Sequence, residues 1–135
     1  MLTTDQIRLV KQTWITFRQV DPALLGEVFY AKLFMEHPAL RPLFTTPLDQ
    51  QYKKLVEMMN VLIARLDRPA EVMPSVEQLG VRHRGYGVKP EHYAQLENSL
   101  LWTLQTGLGY RWNEEVKAAW TSLYQVVATT MINAQ

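Results

Sequence analysis

The chain has no cysteine among its 135 residues. Disulfides, thiolate metal sites, iron–sulfur clusters and thiolate nucleophiles are therefore excluded, and the composition fits a reducing compartment. Long apolar runs are also missing, since none approaches the ~20 residues of a membrane span. Residues 1–8 are polar and lack the apolar core of a signal peptide. Neither charge sign dominates: 14 basic residues stand against 13 acidic ones, for a formal net charge of +1. A nucleic-acid partner would call for a concentrated basic face. Strand alternation, hairpin signals, repeats and low-complexity segments are absent, as is the G-x-G-x-x-G fingerprint of a dinucleotide site. The expectation is one cytoplasmic, all-helical domain over residues 1–135, binding neither nucleic acid nor membrane, with no room for a second domain.

What is present is helical period. Thr3 or Thr4 can cap a first helix, with Asp5 favouring its positive end, and Ile7, Val10, Trp14 and Phe17 form its apolar face. Asp21-Pro22 closes that helix and opens a second over residues 23–36, apolar on more than one side and so central to the fold. Gly26 inside it costs about 1 kcal/mol against alanine, a cost that close helix contact would explain. Tyr30 shares a face with Gly26 and Phe34. His37-Pro38 bends the path into a helical turn over residues 39–43, followed by Phe44. Residues 49–66 form a long helix with Tyr52, Leu55, Val56, Met59, Leu62, Ile63 and Leu66 on one stripe and Gln51 at its border. Lys89-Pro90-Glu91 starts another helix, striped by Tyr93, Leu96, Leu100, Leu104 and Leu108 and ended at Gly107 and Gly109. Asn113 caps the last, whose buried face runs from Val116 to Met131.

Between the third and fourth long segments, Pro69 ends one helix and a loop leads to a short one, with Pro74 in its first turn. Val76, Leu79, Gly80 and His83 share a face there, and Gly85 and Gly87 can take the positive φ that stops a helix. One imidazole is thus aimed inward at a helix end. The residues alone leave two readings open, a satisfied core histidine or a ligand. His37 precedes a proline at a helix end and His92 sits one residue off its stripe, so both are set aside as metal ligands. Arg82, Arg84, Lys53 and Lys54 read as solvated charges.

The whole pattern carries a resemblance. Phe29-Tyr30-Ala31-Lys32-Leu33-Phe34, then Pro38 with Leu43-Phe44, then Gln51 with Leu55, lead to His83-Arg84-Gly85-Tyr86-Gly87-Val88-Lys89-Pro90-Glu91-His92-Tyr93 and to Ala119-Trp120 with Tyr124. In these segments the chain resembles the globins, and more narrowly the single-domain bacterial globins and the haem domain of flavohaemoglobins. The resemblance implies an all-α globin fold, about five long and two short helices around a haem pocket, holding haem b. It implies that His83 is the axial iron ligand and that Phe44 packs on the haem. Tyr30 and Gln51 become distal hydrogen-bond donors to a bound gas, with Leu55 as apolar distal wall. Leu79, Arg82, Lys54, Val88 and Tyr93 become further haem contacts, the basic ones toward the propionates.

In flavohaemoglobins a glutamate near the end of the last helix joins the tyrosine at the Tyr93 position and makes the imidazole more anionic. Here residues 132–135 carry no acid and fall short of that place. The pull on His83 is expected to be weaker, with a backbone carbonyl between Val76 and Leu79 accepting its N–H. The function implied is reversible, high-affinity binding of O2, and of NO and CO, by a monomer or weak homodimer, with no residue assigned a definite catalytic role. The alternative is a nitric oxide dioxygenase fed by a separate NAD(P)H-dependent reductase, since the chain ends before a reductase could begin.

Overall fold

The computed structural model describes residues 2–135. Among them are six α-helices and no strand: α1 (Thr4–Arg18), α2 (Pro22–Glu36), α3 (Leu48–Ala64), α4 (Pro69–Gly85), α5 (Pro90–Leu108) and α6 (Glu114–Ala134). Short 3-10 turns, Pro38–Leu43 and Gly109–Arg111, join α2 to α3 and α5 to α6. No helix among the described residues is long and apolar enough to cross a membrane.

Local chemistry starts these helices. The Thr3 hydroxyl accepts the Gln6 N–H at 3.1 Å, and the Gln6 side chain accepts the Thr3 N–H at 3.0 Å. This reciprocal capping box satisfies two donors that have no partner within α1. Asp21 accepts the Ala23 N–H at 2.9 Å, with Pro22 in the first position of α2. Asn113 accepts the Val116 N–H at 2.9 Å to start α6.

α4 departs from the sequence expectation. It is a single helix of 17 residues, not a loop followed by a short helix, and Pro74 lies inside it. Proline there removes one bond, to the carbonyl four residues back. That carbonyl belongs to Ala70 in the exposed first turn, where water can take the bond. Pro69, not Pro74, holds the first position. Gly85 remains helical, and only Gly87 takes positive φ, at 88°.

Two close approaches set the helix crossings. A Cβ on Gly80 would collide with the backbone of Met131, so α4 lies directly on α6. A Cβ on Gly26 would collide with Tyr52, so α2 lies directly on α3. The larger core cluster includes Val10, Trp14, Phe17, Met59, Leu62, Leu104 and Trp120, drawn from α1, α3, α5 and α6. Its two indoles are paired: Trp14 donates to Asn60 at 2.7 Å and Trp120 donates to Thr13 at 2.9 Å. A smaller cluster gathers Phe29, Tyr30, Leu33 and Leu40 under Phe34, Leu43 and Phe44. The candidate site opens where the two clusters meet.

Candidate cofactor and ligand site

A cavity of about 240 Å³ lies between the clusters, lined by Phe29, Tyr30, Gln51, Leu55, His83, Tyr93 and Trp120 among others. One water occupies roughly 30 Å³ of the liquid, so this is no packing defect. Its walls are mostly apolar and suit an apolar occupant.

His83 enters from the last turn of α4. Its Nδ1 lies 2.7 Å from the carbonyl oxygen of Leu79. A carbonyl only accepts, so Nδ1 carries the hydrogen and Nε2 keeps a free lone pair on the cavity side. Burial lowers the imidazole pKa below its ordinary value and the Arg82 charge lowers it further, while the Leu79 bond works in the other direction. The result favours a neutral ring with one nitrogen ready to coordinate. No trio of His, Asp or Glu side chains gathers among the described residues. One imidazole with a free lone pair, set in a largely apolar slot, suits a metal whose other positions are filled by a planar macrocycle.

Across the cavity, α2 presents Tyr30, only 5% exposed. Aromatic rings surround it: Phe29 at 4.8 Å and Phe44 at 5.3 Å edge-on, Tyr52 at 5.5 Å and Phe34 at 5.8 Å stacked. Burial, and then the neighbouring Tyr52, push the Tyr30 phenol well above the usual tyrosine range. It stays protonated and is a donor. Its hydroxyl makes no hydrogen bond to another described residue, and the ring lines the cavity. Gln51 and Leu55, one turn apart on α3, line the same wall.

The other sequence-derived candidates divide. Val88 and Tyr93 line the cavity, and so does Phe44, whose ring also packs edge-on against Phe34 at 5.3 Å. Leu79 contributes its carbonyl to His83 while its side chain packs on the larger core. Arg82 and Lys54 are exposed and outside the lining, as are Arg84 and Lys53. Two residues were missed. His92 lines the cavity, with its Nδ1 accepting the Lys89 N–H at 3.0 Å. The available signal was its place three residues after the helix cap, where a side chain can turn back to the cap N–H. Gln135, expected to fall short, donates to the Tyr93 hydroxyl at 3.0 Å.

The sequence matches the Globin family model over residues 27–131. The chain belongs to the globin family. It is 29% identical to the flavohemoprotein of Bacillus subtilis over 138 aligned residues, covering all of this chain and 34% of that protein. The chain thus spans about a third of the length of that relative. It is 28% identical to an uncharacterized globin-like protein of Aquifex aeolicus, covering all of this chain and 95% of that one. The fold superposes on an engineered carbene transferase from Rhodothermus marinus with a TM-score of 0.88, covering 98% of this chain and 92% of that chain at 21% identity.

Proposed function

We propose that this globin holds haem b and binds O2, and other diatomic gases such as NO and CO, reversibly and with high affinity. The observation that carries this reading is the pairing of two groups across one apolar cavity: a neutral imidazole and an unpartnered phenol. Flavohemoproteins, to which the chain is similar, bear haem in their name. Haem would supply the iron position at which a gas binds. His83 would hold the iron through Nε2, with the Leu79 carbonyl fixing the ring's orientation. The Tyr30 hydroxyl would donate a hydrogen bond to the gas, and the Gln51 amide would donate as well or steady the phenol. Phe44 and Leu55 would keep water out. Of the exposed cations, Arg82 and Lys54 remain proposed partners for the propionates. CO carries less negative charge than O2 and would gain less from these donors, so the preference for CO would be low. A cytoplasmic setting and a monomeric or weakly dimeric state belong to the same reading.

A second reading, nitric oxide dioxygenase, draws on the flavohemoprotein relative, of which this chain covers 34%. It would require electrons from a separate NAD(P)H-dependent reductase. Absorption spectra of the ferric, ferrous and O2-exposed protein test the first reading: a Soret band that shifts with O2 is expected, and its absence would sink both readings. Continuous NO consumption with NAD(P)H and a reductase would favour the dioxygenase, whereas a single turnover would favour the binding protein.

A further inference from the structure

We propose that His92 anchors a carboxylate of the cavity's occupant at the rim of the site. This inference rests on the haem reading, because it concerns the acidic edge of that occupant. Three observations converge on it. The half-buried His92 ring is part of the cavity wall, beside Tyr86 and Val88. Its Nδ1 accepts the Lys89 N–H at 3.0 Å. A nitrogen that accepts a backbone N–H carries no hydrogen, so the hydrogen sits on Nε2. That Nε2–H donates to no other described residue and can only seek an acceptor; a metal would need a lone pair there. The same bond prevents the ring from turning, so the donor is held in a fixed direction before anything binds.

The surroundings favour a negative acceptor. His92 lies in the first turn of α5, a helix of 19 residues whose positive end stabilises anions. Lys89, Arg82 and Arg84 are exposed on the adjoining stretch, and none is in an ion pair among the described residues. Glu91 opposes them from the same turn, but it is exposed to solvent. Most of the other lining residues are apolar, including Leu43, Leu96 and Leu100. His92 thus gives the cavity polarity along its edge: the acidic side of a planar occupant turns to the start of α5 and its apolar body enters between Phe44 and His83.

Two substitutions separate the parts of this device. His92→Asn retains an acceptor near the Nδ1 position, and with it the Lys89 bond, but removes the reach to Nε2. His92→Gln retains a donor near the Nε2 position. The measurements are the rate of hemin transfer to excess apomyoglobin, and the relative affinity for zinc protoporphyrin IX and its dimethyl ester, read by fluorescence. The unsubstituted protein should prefer the free acid. His92→Asn should lose hemin about tenfold faster, the scale of one charge-assisted hydrogen bond, and should lose the free-acid preference. His92→Gln should keep most of both. An Asn variant with the original loss rate and preference overturns the anchor while leaving the haem reading intact. If the unsubstituted chain binds neither porphyrin, both fail together.

Discussion

Tyr30 and Tyr124 face one cavity from opposite walls, and they make different use of the same side chain. Both rings are among its lining, and burial is the main cause that lifts both phenols above the ordinary range, with Tyr52 adding to it at Tyr30 and Glu97 and Tyr93 at Tyr124. Tyr124 is closed. Its hydroxyl donates to the backbone carbonyl of Tyr93, clipping α6 to α5. Tyr30 is open. Its neighbours are aromatic rings, and no described residue accepts its hydrogen. On the α5–α6 wall the hydroxyl is satisfied by the fold itself; on the α2–α3 wall the donor is left free for a ligand. The contrast separates a tyrosine that holds structure from one that is poised to bind.

The largest expected effect is on the floor between them. His83→Ala should abolish the Soret band of the reconstituted protein, or leave one with altered ligation, and a spectrum unchanged from the original would remove the imidazole from its proposed role. Next, Tyr30→Phe should speed O2 release by roughly 10- to 150-fold, the loss of one hydrogen bond to a charged partner at about 1.5–3 kcal/mol. Stopped-flow displacement of O2 by CO measures this rate. Tyr124→Phe should leave it unchanged while lowering apo-protein stability by about 1–3 kcal/mol, because the Tyr93 carbonyl loses its partner. Equal effects of the two substitutions on O2 release would erase the distinction between the walls.

Gly26→Ala should lower stability by about 1–3 kcal/mol in denaturant unfolding, since the added methyl would meet the side chain and the backbone of Tyr52. It should also disturb O2 release, as α2 and α3 together carry Tyr30 and Gln51. The smallest effect lies at alkaline pH. Unfolded tyrosine loses its proton near pH 10, whereas folded Tyr30 and Tyr124 hold theirs to higher pH. Their contribution to stability is complete below about pH 10 and falls as pH rises beyond it, because the unfolded chain then binds fewer protons. In the folded apo-protein, absorbance of tyrosinate should reveal three late-titrating residues, Tyr93 among them, and Tyr30→Phe should remove one of them.

Much of this architecture was readable from spacing alone. Thr3, Asp21 and Asn113 each cap the helix expected of them, because a cap bond spans only two or three residues. The face of His83 followed from Val76 and Gly80, its neighbours on the helix surface, since a period of 3.6 residues holds whatever the helix packs against. The length of α4 was less readable. Pro74 resembles a helix start locally, and only the fold determines that its missing hydrogen bond falls in an exposed first turn. His92 and Gln135 escaped for a related reason. Each acts through polar atoms whose partners, the Lys89 N–H and the Tyr93 hydroxyl, do not lie on an apolar stripe.

Local spacing set most of the helices, the side on which each is apolar, and the inward turn of the imidazole at the end of α4. These depend on interactions within a few residues, where spacing is geometry. The packing of distant helices set which tyrosine hydroxyl is satisfied and which is left open. Tyr30 and Tyr124 are both tyrosines on apolar helix faces, and nothing within a few residues of either distinguishes them. The difference is the Tyr93 carbonyl, brought to Tyr124 by the packing of α5 on α6, and the absence of any such acceptor among the rings packed around Tyr30. A hydrogen bond is short and directional, so its making depends on where a distant helix comes to rest, and that position is a property of the assembled core.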